Sequence, residues 1–95
     1  MTYVLVTYER AHDAMEGAAT LVDAGIRGTL IPRPRTLTAK CGVALRLSVE
    51  DAPSAIKVLR SEGLLGDLFV SEDGRKWEAL ALESFEGVKS DNAGA

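Results

Sequence analysis

The apolar positions of this chain fall into short runs whose period switches between two and about 3.6 residues. Tyr3-Val4-Leu5-Val6-Thr7-Tyr8 is nearly continuously apolar and rich in β-branched and aromatic residues, which suits a central strand buried on both faces or nearly so. From Glu9 to Ala24 the spacing becomes helical, with Ala11, Ala14, Met15, Ala18, Ala19, Leu21 and Val22 in one stripe and Gly25 placed to end the helix. Met15 reads as core on this pattern. Arg27 to Pro32 reads as a second strand, broken by Pro32 and Pro34, which have no backbone N–H to donate. Gly42 to Val49 alternates, with Val43, Leu45, Leu47 and Val49 on one face and Ala44, Arg46 and Ser48 on the other, as in a half-buried strand. Ser48 or Asp51 can cap a second helix with apolar positions Ala52, Ala55, Ile56, Val58 and Leu59, ended by Gly63. Leu64 to Ser71 reads as a fourth strand, and Asp73-Gly74 as a turn. Lys76 to Leu82 fits either a short strand pairing back as a hairpin or a helical turn. Its Trp77 is expected to pack on the sheet or cover its edge, with a dimer contact as the alternative.

The order β-α-β-β-α-β is that of an α+β, ferredoxin-like βαββαβ two-layer sandwich, an antiparallel sheet with two helices on one face. In that topology strand three lies antiparallel between strands one and two. One edge of the sheet should then gather Thr7, Glu9, Arg10 and His12 from the first junction and Arg33 to Gly42 from the loop between strands two and three. The Gly63–Gly66 turn should reach the same edge. The expected boundaries are a single domain over 1–83 and a disordered tail over 84–95, where Gly, Ser, Asn and Ala take over.

Composition narrows the function classes. The chain has 95 residues, 46% of them hydrophobic, and a net charge of −3, which argues against general nucleic-acid binding. The distribution is uneven. No Asp or Glu occurs between Asp23 and Glu50, a stretch that holds Arg27, Arg33, Arg35, Lys40 and Arg46. No run approaches the roughly 18 apolar residues of a membrane span. The N-terminus has no basic start or cleavage signal, and one cysteine makes no internal disulfide, so a cytoplasmic location is expected.

That single cysteine is the centre of the candidate chemistry. Cys41 lies next to Lys40, six residues after Arg35 and just before Gly42, in a proline-stiffened basic loop. A thiol is a nucleophile only as its thiolate, and nearby cations favour the thiolate. The same loop can hold an anion, through Arg33, Arg35 and Lys40 and through backbone amides that Gly42 leaves accessible. The competing reading makes Cys41 a small buried apolar residue and the arginines a solvated hairpin. Between the two arginines, anion recognition is assigned to Arg35 in preference to Arg33. His12 could face Cys41 across the edge as a proton donor or acceptor, but a solvent-exposed residue in the first helical turn is the preferred reading. One Cys and one His do not supply a zinc site, and no metal or cofactor is expected. A missing second cysteine argues against a disulfide oxidoreductase with a resolving thiol.

The segments Tyr3–Tyr8, His12-Asp13-Ala14-Met15, Ala24-Gly25-Ile26, Leu30-Ile31-Pro32-Arg33-Pro34-Arg35 and Cys41-Gly42-Val43-Ala44-Leu45 together resemble the selenium/sulfur carrier-like family of small bacterial domains. The resemblance covers residues 3 to about 70, and its most specific part is Pro-x-Pro-Arg followed six residues later by Cys-Gly. It implies a protein whose cysteine carries a persulfide or perselenide, with Cys41 as the carrier residue and Arg35 and Gly42 matching the family's arginine and glycine. The chain departs from the pattern at Arg33, Thr38 and Lys40, and at Tyr8, where the family usually has Phe. The implied partner is a protein donor or acceptor of sulfur or selenium, with neither nucleic acid nor membrane, and exposed sheet edges leave room for a homodimer. The alternative is a small-molecule, anion-binding or regulatory module in which Cys41 is passive.

Overall fold

The computed structural model describes residues 2–35, 37 and 42–80. The predicted 84–95 tail lies outside them. The elements are β1 (Tyr3–Thr7), α1 (Ala11–Asp23), β2 (Thr29–Pro32), β3 (Val43–Ser48), α2 (Ala52–Ser61), β4 (Asp67–Ser71) and β5 (Glu78–Ala79). The sheet order is β2-β3-β1-β4-β5, and every neighbouring pair is antiparallel. This is the α+β arrangement read from the pattern, consistent with a ferredoxin-like fold, with a short fifth strand added. The segment that fitted either a strand or a helical turn is a strand: Phe69 pairs with Ala79 and Val70 with Glu78.

The continuous apolar run of β1 is explained by burial on both faces. Val4 and Val6, with Tyr8 just beyond the strand, join Leu45, Leu47 and Leu68 in the core beneath the helices, together with Ala14, Leu21, Ile56 and Leu59. Leu5 points the other way, into a second cluster with Ala44 and Leu37, against which Ile31, Phe69 and Trp77 pack. The nominally polar face of β3 is therefore covered at Ala44. Farther along that face Arg46 lies over the Tyr3 ring, 5.0 Å from its centroid, a cation–π contact.

Both helices end in the same way. Gly25 and Gly63 adopt positive φ (75° and 70°), where a Cβ would be strained. Ile26 N–H donates to Leu21 O and Leu64 N–H to Leu59 O, each at 2.8 Å, while Gly25 and Gly63 donate to Val22 O and Arg60 O. This is the Schellman pattern, and the residue after each glycine packs on the core. At the start of α2 the Ser48 hydroxyl accepts from the Asp51 N–H and donates to the Asp51 carboxylate.

One reading is corrected. Met15 is 59% exposed and Val22 69%, so the apolar stripe of α1 is wider than the face it buries. The buried arc is Ala14, Gly17 and Leu21. Its small residues bring the helix close to its neighbours: a Cβ at Gly17 would lie 2.8 Å from the Tyr8 hydroxyl and 3.4 Å from Leu59. Met15 and Val22 fall on the flank of that arc, beyond the surface that the sheet and α2 cover.

Candidate functional site

The strand registers bring the predicted junctions to one edge of the sheet. Thr7 at the end of β1 faces Ala44 on one side and Asp67 on the other, and Pro32 at the end of β2 faces Val43. The loop leaving β2 closes at its base through the Arg33 N–H, which donates to Gly42 O at 2.9 Å. Arg33 is half-buried, and one guanidinium nitrogen donates to the Leu37 carbonyl. Its Nε is buried without a partner among the described residues. The Leu37 N–H in turn donates to Pro34 O at 3.0 Å. Arg33 thus ties Leu37 and Gly42 to the end of β2, while Arg35 and Gly42 are exposed. Cys41 and Lys40 lie outside the described residues. His12 stands on the outer surface of α1 with its side chain 78% exposed, 3.3 Å from Glu16 one turn along.

Beside this loop, on the helix side of the same edge, a cleft of about 750 Å³ opens between the start of α1 and the turn after α2. Thr7 to Arg10 and Asp13 form one wall and Gly63 to Asp67 the other. Glu9, Asp13 and Asp67 outnumber Arg10, whose guanidinium is 3.5 Å from the Asp13 carboxylate. The cleft is therefore acidic, unlike the loop. The close approach that shapes it is at Gly66, where a Cβ would fall 1.9 Å from the Thr7 carbonyl oxygen. Tyr8 is buried at the cleft's inner end, and its hydroxyl has no partner among the described residues. Burial, and secondarily the Asp13 carboxylate, hold this phenol well above its usual range.

The sequence located the convergence of the two junctions but missed the cleft and the Tyr8–Gly17 contact. Gly66 carried a signal, a glycine just ahead of an apolar strand, but its reason is a non-local approach to Thr7. Among the described residues, no group of three or more His, Cys, Asp or Glu could hold a metal ion, and no helix is long and apolar enough to cross a membrane.

No curated protein and no solved structure matches the chain. The family described as "Putative Se/S carrier protein-like" matches residues 3–70, a span that takes in both helices, the first three strands, most of β4 and the whole β2–β3 loop. The chain belongs to that Se/S carrier protein-like family.

Proposed function

We propose that the protein is a carrier of sulfur or selenium, holding the atom on Cys41 and passing it to a partner protein. The observation that carries this reading is the family match, which spans the loop with the sole cysteine. The loop's chemistry agrees: Lys40 and Arg35 are close in sequence, and no carboxylate lies between Asp23 and Glu50, so the thiolate is favoured. Arg35, which is exposed, would meet an anionic donor or the charged terminal atom, whereas Arg33 donates to the Leu37 carbonyl. Loading is a simple exchange. The Cys41 thiolate attacks the terminal sulfur of a donor persulfide, a new sulfur–sulfur bond forms at Cys41, the donor's own sulfur–sulfur bond breaks, and the donor leaves as thiolate. No further catalytic group is required, and His12 is assigned no part.

The reading is tested by incubating the protein with a cysteine desulfurase and cysteine and measuring intact mass. A gain of one sulfur atom, absent in Cys41→Ser, supports the carrier. No gain, or a gain indifferent to that substitution, sinks it. An anion-dependent rise in melting temperature retained in Cys41→Ser and lost in Arg35→Ala would instead favour an anion-binding module with a passive cysteine.

A further inference from the structure

The sheet ends on one side at β5, two residues long, and on the other at β2, whose outer edge carries no neighbouring strand among the described residues. The Arg33 N–H donates to Gly42 O, which makes Arg33 and Gly42 a hydrogen-bonded pair. Hydrogen-bonded and open pairs alternate along an antiparallel ladder, so Ile31–Ala44 and Thr29–Arg46 are the next closed pairs. Leu30 and Pro32 therefore turn their backbone groups outward. Leu30 offers an N–H and a carbonyl to the free edge, and Pro32 a carbonyl alone.

An apolar ledge borders this edge. Leu30 is paired with Leu45, a member of the core beneath the helices, so it lies on the helix side of the sheet, yet it is 40% exposed. α1 packs on β2 and β3, and its Gly17 faces α2 at Leu59. At about 100° per residue, Met15 and Val22 fall on the flank of α1 turned away from α2, toward β2. Ala11 and Ala18 share that flank, which carries no charge over three turns. The ends of the strand are basic instead. Arg27 and Arg35 are exposed and form no ion pair among the described residues, and Arg33 follows Pro32 directly. This charge selects the occupant. A second copy paired antiparallel about Leu30 would set Arg27 opposite Arg33 of the other copy at both ends, and like charges directly opposite destabilise a ladder.

From these observations we propose that the β2 edge takes up one extended strand of a partner protein, with apolar residues on the helix side and acidic residues on the other. The incoming backbone exchanges hydrogen bonds with Leu30 and donates to the Pro32 carbonyl. Its apolar side chains lie on Leu30 and against Met15 and Val22, and its carboxylates meet the arginines at the strand's ends. Pro32 withholds an N–H and so limits the pairing at that end. The proposal does not depend on Cys41 carrying sulfur or selenium.

The test titrates isotope-labelled protein with a blocked seven-residue peptide of alternating Glu and Val, and with its Lys–Val counterpart. At saturation the Glu–Val peptide should shift the Gly28 and Leu30 amides and slow exchange of the Leu30 amide at least about tenfold, with the Val6 amide in β1 as the unmoved reference. The Lys–Val peptide should not bind. Val22→Glu and Arg27→Glu, both at exposed positions, should each weaken binding at least about tenfold. Lys57→Glu, on the exposed face of α2, changes net charge equally and should leave binding as in wild type. No binding of the Glu–Val peptide, equal binding of the Lys–Val peptide, shifts centred away from β2, or an equal loss in Lys57→Glu overturns the proposal. So does a dimer of the free chain that Val22→Glu dissociates, because the edge then belongs to a second copy.

Discussion

Tyr8 shows how much one side chain can encode. It is 7% exposed, its ring lies against Gly66 at one end, and its hydroxyl lies against Gly17 with no partner among the described residues. A buried hydroxyl left unpaired costs about 1–3 kcal/mol. Tyr8→Phe, the residue usual in the resembling family, should therefore stabilise the fold by about 1 kcal/mol, a rise of about 5 °C in Tm by thermal denaturation. A fall in Tm would mean that the hydroxyl does have a partner. Gly66→Ala should act in the opposite sense, since its Cβ meets backbone rather than a flexible side chain. A loss of about 3 kcal/mol in denaturant unfolding is expected, and a loss below about 1 kcal/mol would show that the β1–β4 edge yields easily. Neither contact was legible in the sequence. Gly66 is far from Tyr8 along the chain, Gly17 lies in another element, and periodicity reports only which residues share a face. Met15 was misplaced for the same reason: its spacing is right for the stripe, but the helix buries only the arc of Ala14, Gly17 and Leu21.

Elements were far more legible than contacts. Both helices end at the glycines the pattern marked, because a positive φ at the position after the helix cap is a local requirement that glycine meets without strain. Strand ends were less so. β2 begins at Thr29 rather than Arg27 and β4 at Asp67 rather than Leu64, since an apolar approach to the core, as at Leu64, looks like a strand in sequence whether or not it pairs. The β4–β5 hairpin depends on Asp73. Hydrogen bonds from the Arg75 and Lys76 N–H groups, and then from Ser71, lower its carboxyl from 3.8 to about 2. A lowered folded-state value means the turn's contribution is complete above pH 4 and is lost as pH falls toward 2. The Tm of Asp73→Ala should accordingly lie below that of wild type by a constant amount above pH 4 and converge on it between pH 4 and 2. Parallel curves over that range would remove Asp73 from the acid limb.

Across the molecule, the ferredoxin-like order gathers two chemically different surfaces at one edge. The cleft between α1 and the α2–β4 turn is acidic, and the loop between β2 and β3 is basic. The sequence forecast their convergence because topology follows from element order, but it could not separate them into a helix-side cleft and a neighbouring loop. It also did not reveal that Arg33 reaches the Leu37 carbonyl or that Leu37 and Trp77 cover the open face of the sheet. The decisive measurement is the intact mass of the protein after exposure to a persulfide-bearing cysteine desulfurase. One added sulfur per chain, removed by a thiol reductant and absent in Cys41→Ser, is the predicted result. A wild-type mass unchanged while the desulfurase turns over would contradict it.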